Sequence, residues 1–381
     1  AGQARSLADN ERPPRGGGQK RIRTIMKMQT KHLLSAARDL LVGLAPDRDV
    51  DCYATVTSLG GHLSVACRVG DICARIMVPC EDGEFFQCAI DLRALVAALR
   101  PIRAKELTVT LSDGYLALSA GPCSARCRAV PLGSLPDPIQ GMEIDFEKIH
   151  TAIVPAARVP TLAWVALAMC DDKSRTYLNG LHLDDALVAT DGARMHAWPI
   201  AFGKEPVAVT IPARAVQLAL KHAKKCELWI QHDHTGKVAR ILTPTLEIRA
   251  ITIAGKFPDW QQVVPQWHVA AHVLRDAHNL GAVAESAPKV KDKRLTLAIN
   301  GRADASACDA DGEVVFTSPI EGAIEHRTGK TEITIGINPE YLAEAIGSLS
   351  VDVRFGGVRD PIRIDRPDGT LALIMPMRPV Q

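Results

Sequence analysis

Five carboxylates, Asp171, Asp172, Asp184, Asp185 and Asp191, fall close together near the middle of this 381-residue chain. Hard oxygen ligands grouped in this way could hold magnesium and support metal-dependent phosphodiester cleavage. The same residues also read as turn formers: Asp184-Asp185 separates two apolar runs, and Thr190-Asp191-Gly192 is a turn tripeptide. The turn reading is preferred, and a metal-dependent phosphodiesterase is kept as the alternative. His232-Asp233-His234 resembles a metal pair, but it lies in Gln231–Gly236 between strand-like segments and is expected to form a solvated hairpin tip. Asp309-Ala310-Asp311-Gly312-Glu313 begins like a calcium loop without the remaining ligands, so a hairpin turn is expected there as well.

The ten cysteines stand singly in apolar stretches without paired CxxC spacing. Cys123 and Cys127 lack two further ligands nearby for zinc, so buried, reduced thiols are expected, as in a cytoplasmic protein. There is no Walker loop, GxSxG, helix-opening GxGxxG or HExxH motif. The chain reads as a non-enzyme without cofactor or metal.

Charge is unevenly distributed. Lysine and arginine total 45 against 43 acidic residues, a net charge of +2. Residues 1–27 alone carry a balance of +5, so the remainder sums to −3. A mildly acidic body does not coat itself with nucleic acid, and any DNA contact must come from a segregated basic surface. Residues 1–25 read as a disordered basic tail, because Pro13-Pro14-Arg15-Gly16-Gly17-Gly18 suits neither helix nor strand. Two readings of it stay open: an arm that touches phosphates, or an extension outside the fold, with Met26 and Met28 as natural starts. No apolar run approaches the ~20 residues that cross a bilayer, and a soluble protein is expected.

The elements that must position these residues recur three times. A β-branched run, an Ala/Leu-rich helix and a further strand appear at Phe86–Leu111, Val207–Ile230 and Glu332–Phe355. Asp91, Pro212 and Asn338 stand at the three helix starts as N-cap or N1 residues. They are 121 and 126 residues apart, and a third of the 354 residues beyond the tail is 118. Three repeated domains follow, at 26–138, 139–265 and 266–381. Each is expected to be α+β, with two helices on a mostly antiparallel sheet. The earlier helix of each copy is placed at His32–Leu41, Phe146–Ala156 and Val273–Val283. Arg93, Arg100, Arg103 and Lys105 accompany the first repeat helix, and Arg214, Lys221, Lys224 and Lys225 the second. Positive charge in matching places could follow phosphates without reading bases; a solvated helix face is the plainer account.

Five segments carry a family resemblance: Tyr177-Leu178-Asn179-Gly180, Val188–Met195, Gly255-Lys256-Phe257-Pro258-Asp259-Trp260, Ile335–Tyr341 and Met375-Pro376-Met377-Arg378. In order and spacing they resemble the bacterial sliding clamps, the beta subunits of DNA polymerase III, over about residues 28–381. The resemblance implies three repeated DNA-clamp domains per chain and a head-to-tail homodimer forming a six-domain ring. The ring would encircle duplex DNA without sequence preference, as a processivity factor in the cytoplasm. Implied partners are the polymerase III catalytic subunit, other clamp-motif proteins and an ATP-driven clamp loader, with no membrane. A diverged paralogue that binds peptides without encircling DNA is a further alternative.

By the same resemblance Arg175, Tyr177, Arg214 and Lys221 face DNA, with Arg48 a looser match. The partner-peptide pocket falls to Leu178, Thr190, Gly192, Arg194, Met195, Pro258, Val263, Asn338, Tyr341, Val358, Leu373, Met375, Pro376, Met377 and Arg378. Apolar walls and adaptable methionines suit hydrophobic anchors, and a few polar groups fix direction. The sequence departs from the family where Ala193 replaces a frequent histidine and Gln262 a common arginine. It also extends past Arg378 by Pro379-Val380-Gln381, and the expected dimer edge, Cys123–Val130, carries Cys and Ala in place of larger apolar groups.

Overall fold

The computed structural model describes residues 24–45, 47, 51–81, 83–130, 132–134, 137–200, 207–265, 272–288, 294–308, 313–326 and 332–377. Arg48, Arg378, residues 379–381, most of the tail and 309–312 of the calcium-like loop lie outside the described residues. The chain forms two compact units. One combines Tyr53–Val65 and Val78–Leu135 with the chain up to Arg38; the other combines Asp39–Cys52, Ala66–Met77 and Pro136–Gln381.

In the first unit, Thr24–Gln29 pairs antiparallel with Glu106–Ser112, which continues through Tyr115–Ala120 and Cys123–Val130. Asp113 and Gly114 both take positive φ, 53° and 77°, the two-residue turn that matches the twist of a hairpin. Gln87–Asp91 leads into a helix, and Tyr53–Thr57 pairs beside it. Among the described residues six α-helices are numbered in chain order: α1 Thr30–Leu44, α2 Leu92–Leu99, α3 Val159–Ala166, α4 Ala213–His222, α5 Leu280–Ser286 and α6 Pro339–Ile346. Asp91 caps α2 by accepting from Arg93 N at 2.8 Å, and Leu92, Leu95, Val96 and Leu99 make its buried stripe.

The second unit holds the other two copies of the strand–helix–strand pattern. Val209–Pro212, α4 and Leu228–Asp233 form one; Ile333–Ile337, α6 and Val351–Phe355 form the other. Pro212 is the N-cap of α4. Asn338 caps α6 through its side chain, with Pro339 in the first turn. A nine-stranded antiparallel sheet runs from Val209–Pro212 to Ala323–His326. At its centre Arg194–Ala197 pairs with Leu371–Ile374, in the register Arg194↔Ile374 and Met195↔Leu373.

Two expected helices are corrected. Phe146–Ala156 is a short 3-10 turn followed by the strand Ile149–Val154, because alternate residues Ala152 and Val154 are buried, a period of two. The helix follows at α3, which has proline in its first turn. Val273–Val283 likewise opens as the strand His272–Ala277 and becomes helical only at α5. The solvated tip at His232 is also corrected: His232 is fully buried within Leu228–Asp233 and stacks on His150 at 5.1 Å. Among the cysteines, Cys123 is exposed and Cys80, Cys226 and Cys308 are half-buried, while the other six are buried. No helix among the described residues is long and apolar enough to cross a membrane.

Aromatics are scarce, and several of them are used in stacks. His196 is fully buried, stacks on Trp164 at 4.1 Å and donates from Nδ1 to Trp164 O at 2.8 Å. Burial pushes its pKa down from 6.5 to about 4. The unfolded chain therefore binds more protons between those values, so this contribution is complete above pH ~6.5 and is lost as pH falls toward ~4. It amounts to about 3 kcal/mol. Urea midpoints measured across this range should fall with pH, and less so in His196→Gln; a flat wild-type profile would contradict the assignment.

Candidate functional site

A cavity of about 170 Å³ opens in the second unit where Thr190–Met195 meets Leu373 and Met375. A void near 150 Å³ already takes a benzene-sized group, so one large apolar side chain fits. Leu178, Met195, Phe257 and Leu373 form its floor and belong to a buried cluster with Cys170, Ala186, Val188 and Ala197. Val263 and Met375 stand exposed at its rim.

The wall from Thr190 to Arg194 is a turn tied by its own acid. Asp191 Oδ1 accepts from Ala193 N at 2.8 Å and Arg194 N at 2.9 Å, while Oδ2 accepts from Arg194 Nε at 3.1 Å. Thr190 Oγ1 accepts from Gly192 N at 3.0 Å, and Gly192 takes φ +89°, open to glycine at little cost. Arg194 also donates to Leu167 O at 2.7 Å and to Glu344, and its guanidinium lies 4.3 Å over the Tyr341 ring. Burial raises the Tyr341 pKa, with Asp191 adding to the effect. Met375 N donates to Ala193 O at 2.8 Å, which fixes the opposite wall.

The arm Pro258–Val263 is latched from below. Trp260 Nε1 donates to Asp184 Oδ2 at 2.9 Å, and Gln261 Nε2 to Asp185 Oδ2 at 2.9 Å. His182 stacks on Phe257 at 4.1 Å and faces Asp184 at 3.5 Å. Burial alone would raise the Asp184 pKa, but the His182, Trp260 and Ala186 hydrogen bonds hold it down to about 2. Burial and the adjoining Asp184 raise that of Asp185. Asp172 accepts from Ser174 N and from Arg175 Nε. Asp172, Asp184, Asp185 and Asp191 thus serve turns and latches, and among the described residues no three His, Cys, Asp or Glu converge on a metal position.

Of the pocket residues implied by the resemblance, Leu178, Thr190, Gly192, Arg194, Met195, Pro258, Val263, Leu373 and Met375 surround this cavity. Asn338, Tyr341, Pro376 and Met377 do not line it. Asn338 caps α6, Tyr341 supports Arg194, and Met377 N donates to Gly336 O at 2.8 Å. Val358 lines a separate cleft with His272 and Asp360. Ala193, Phe257, Asp259, Trp260 and Pro361 also line the cavity and were not among the residues assigned to it. Phe257, Asp259 and Trp260 sit inside a motif that drew attention in the sequence, whereas Pro361 carried no signal.

The expected DNA-facing residues differ in their freedom. Arg214 is exposed on α4, and Lys221 lies two turns further along. Lys221 pairs with Asp39, whose pKa burial would raise but His222 and Lys221 hold down to about 2. Arg175 pairs with Asp172 at 3.1 Å and donates to Asp191 O at 2.7 Å, beneath Gly192. Tyr177 is partly exposed. In the third copy α5 and α6 carry Glu285, Glu340 and Glu344 and neither lysine nor arginine.

No protein-family model matches the chain. It is 25% identical over 329 residues to the beta sliding clamp of Rickettsia bellii, spanning 78% of this chain and 83% of that one. Among solved structures, the sliding clamp (DNA polymerase III subunit beta) of Pseudomonas aeruginosa bound to griselimycin matches with a TM-score of 0.78 and 17% identity, over 93% of this chain and 100% of that chain. The DNA polymerase III beta subunit of Thermotoga maritima matches with a TM-score of 0.76 and 16% identity, over 94% and 100%. The chain therefore has the sliding-clamp fold. Its resemblance to the bacterial DNA polymerase III beta subunit, carried by five short motifs, extends to most of its length.

Asp184→Ala tests the latch. It strands the Trp260 N–H and leaves His182 with Thr210 but without its carboxylate, an expected loss of about 1–3 kcal/mol. Urea denaturation should show that loss, with a change in tryptophan emission as Trp260 is released.

Proposed function

We propose that this chain is a DNA sliding clamp, a non-catalytic processivity factor that tethers the polymerase III catalytic subunit and other clamp-motif proteins to duplex DNA. The observation that carries the reading is the apolar cavity on the Arg194–Ala197 and Leu371–Ile374 strand pair, built from the segments that carry the family resemblance. Its size, methionine rim and apolar floor suit a short peptide with hydrophobic anchors. Two copies join head to tail into a ring of six domains, divided in each chain near 138 and 265, and a separate ATP-driven loader opens it in the cytoplasm. Two open strand edges suit that closure. Among the described residues Cys123–Arg128 is paired on one side only, and Val314–Ile320 ends its four-stranded sheet with Val314 and Val315 exposed.

Binding is then topological. Exposed basic groups such as Arg214 hold the duplex through salt-screened attraction, and the absence of base contacts lets the ring slide. Arg48, Arg175, Tyr177 and Lys221 are assigned to the same DNA-facing set. The intrachain partners of Arg175 and Lys221 must be shared with or exchanged for phosphate.

The test joins two measurements. Light scattering across a dilution series should give twice the chain mass, and the loaded protein should stay on nicked circular DNA and be lost when that DNA is cut. A monomer at every concentration overturns the ring. Arg214→Glu should weaken retention and make the dependence of log affinity on log salt shallower by about one.

A further inference from the structure

The cavity's charges point to the chemistry of its occupant. Arg194 and Asp259 are the charged residues among those that line it. Arg194 offers little to an incoming group. Its side chain is 12% exposed, its Nε is spent on Asp191, one terminal nitrogen on Glu344 and the other on Leu167 O, and Tyr341 covers a face. Two carboxylates against one guanidinium leave that cluster with an excess negative charge. Arg175, behind Gly192, is likewise balanced by Asp172. Lys256 precedes the arm in sequence but does not line the cavity.

Asp259 is different. It is exposed at the rim, between Pro258 and Trp260, and accepts from Gln262 Nε2 at 2.7 Å. An amide orients a carboxylate without neutralising it. Gln261, the other amide on the arm, is held by Asp185. An apolar hole sized for one side chain is therefore bordered by a carboxylate with no cation paired to it among the described residues and by a cation that is already paired.

We propose that this cavity selects peptides whose hydrophobic anchor is flanked by lysine or arginine, and that Asp259 reads the flanking charge. The inference rests on the peptide-pocket reading above and names the partner class of that site. Charge across such a rim sets specificity more than total affinity.

Fluorescence anisotropy on the full chain would compare three labelled peptides that share a single phenylalanine anchor and differ in one flanking residue, Lys, Ser or Asp. The lysine peptide should bind about threefold to fivefold tighter than the aspartate peptide at low salt, and the ratio should shrink as salt is raised. Asp259→Asn should bring the ratio near one, and Asp259→Lys should invert it. Equal affinities for all three peptides, or a preference that survives Asp259→Asn, overturn the charge assignment while leaving the pocket in place. Binding of none of the three overturns the pocket reading and this inference with it.

Discussion

One carboxylate sets the geometry on which the site depends. Asp191 accepts from two consecutive backbone amides and from the side chain of Arg194, which together hold the turn after Ala186–Thr190 closed. Closure directs Arg194 toward the end of α3 and the flank of α6, where Leu167 O, Glu344 and Tyr341 receive it. Because Arg194 also opens the strand paired with Leu371–Ile374, the same turn sets the register of the sheet beneath the cavity. Charge-assisted bonds at partly buried positions are strong enough to impose such an arrangement.

Electrostatics divide the repeated helices by task. α4 presents Arg214 and Lys221, whereas α6 presents Glu340 and Glu344 in the corresponding part of its repeat. Under the proposed reading, attraction for the duplex is concentrated on part of the chain, and α6 adds no basic group to it. A sliding protein gains from that imbalance, since phosphate contacts spread evenly and tightly would raise affinity at the expense of mobility.

Much of this was legible in the sequence, for identifiable reasons. Asp91 and Asn338 announce helix starts because a short polar side chain satisfies an orphan amide there, and both do so. The spacing of these starts exposed the repetition, and the motifs Val188–Met195 and Gly255–Trp260 supplied most of the cavity. The failures have physical causes. Phe146–Ala156 mixes apolar residues at spacings that fit either period, and its β-branched Ile149, Thr151, Ile153 and Val154 decided for strand. His232 looked solvated because polar neighbours surround it in sequence, yet strand alternation turns its ring inward against His150. Pro361 reaches the cavity only through tertiary packing, which no local pattern encodes.

The position of the cavity also limits how its preferences can change. Leu178, Met195, Phe257 and Leu373 form the floor and at the same time the core that holds Ala186–Thr190, Arg194–Pro199 and the Phe257 arm together. Truncating a buried Leu, Met or Phe costs roughly 2–5 kcal/mol through lost transfer energy and the void left behind. A chain with only a modest net stability tolerates few such losses. Under the proposed reading, selectivity therefore has to be adjusted at side chains that line the cavity outside that core, Ala193, Asp259 and Val263, and at Gln262, which orients Asp259. Of the two departures from the resembled pattern, Ala193 lines the cavity and Gln262 acts on its rim through Asp259. The floor is held by stability and supplies a generic apolar hole; on the proposed reading the rim, free of that constraint, decides which apolar side chain arrives and what accompanies it.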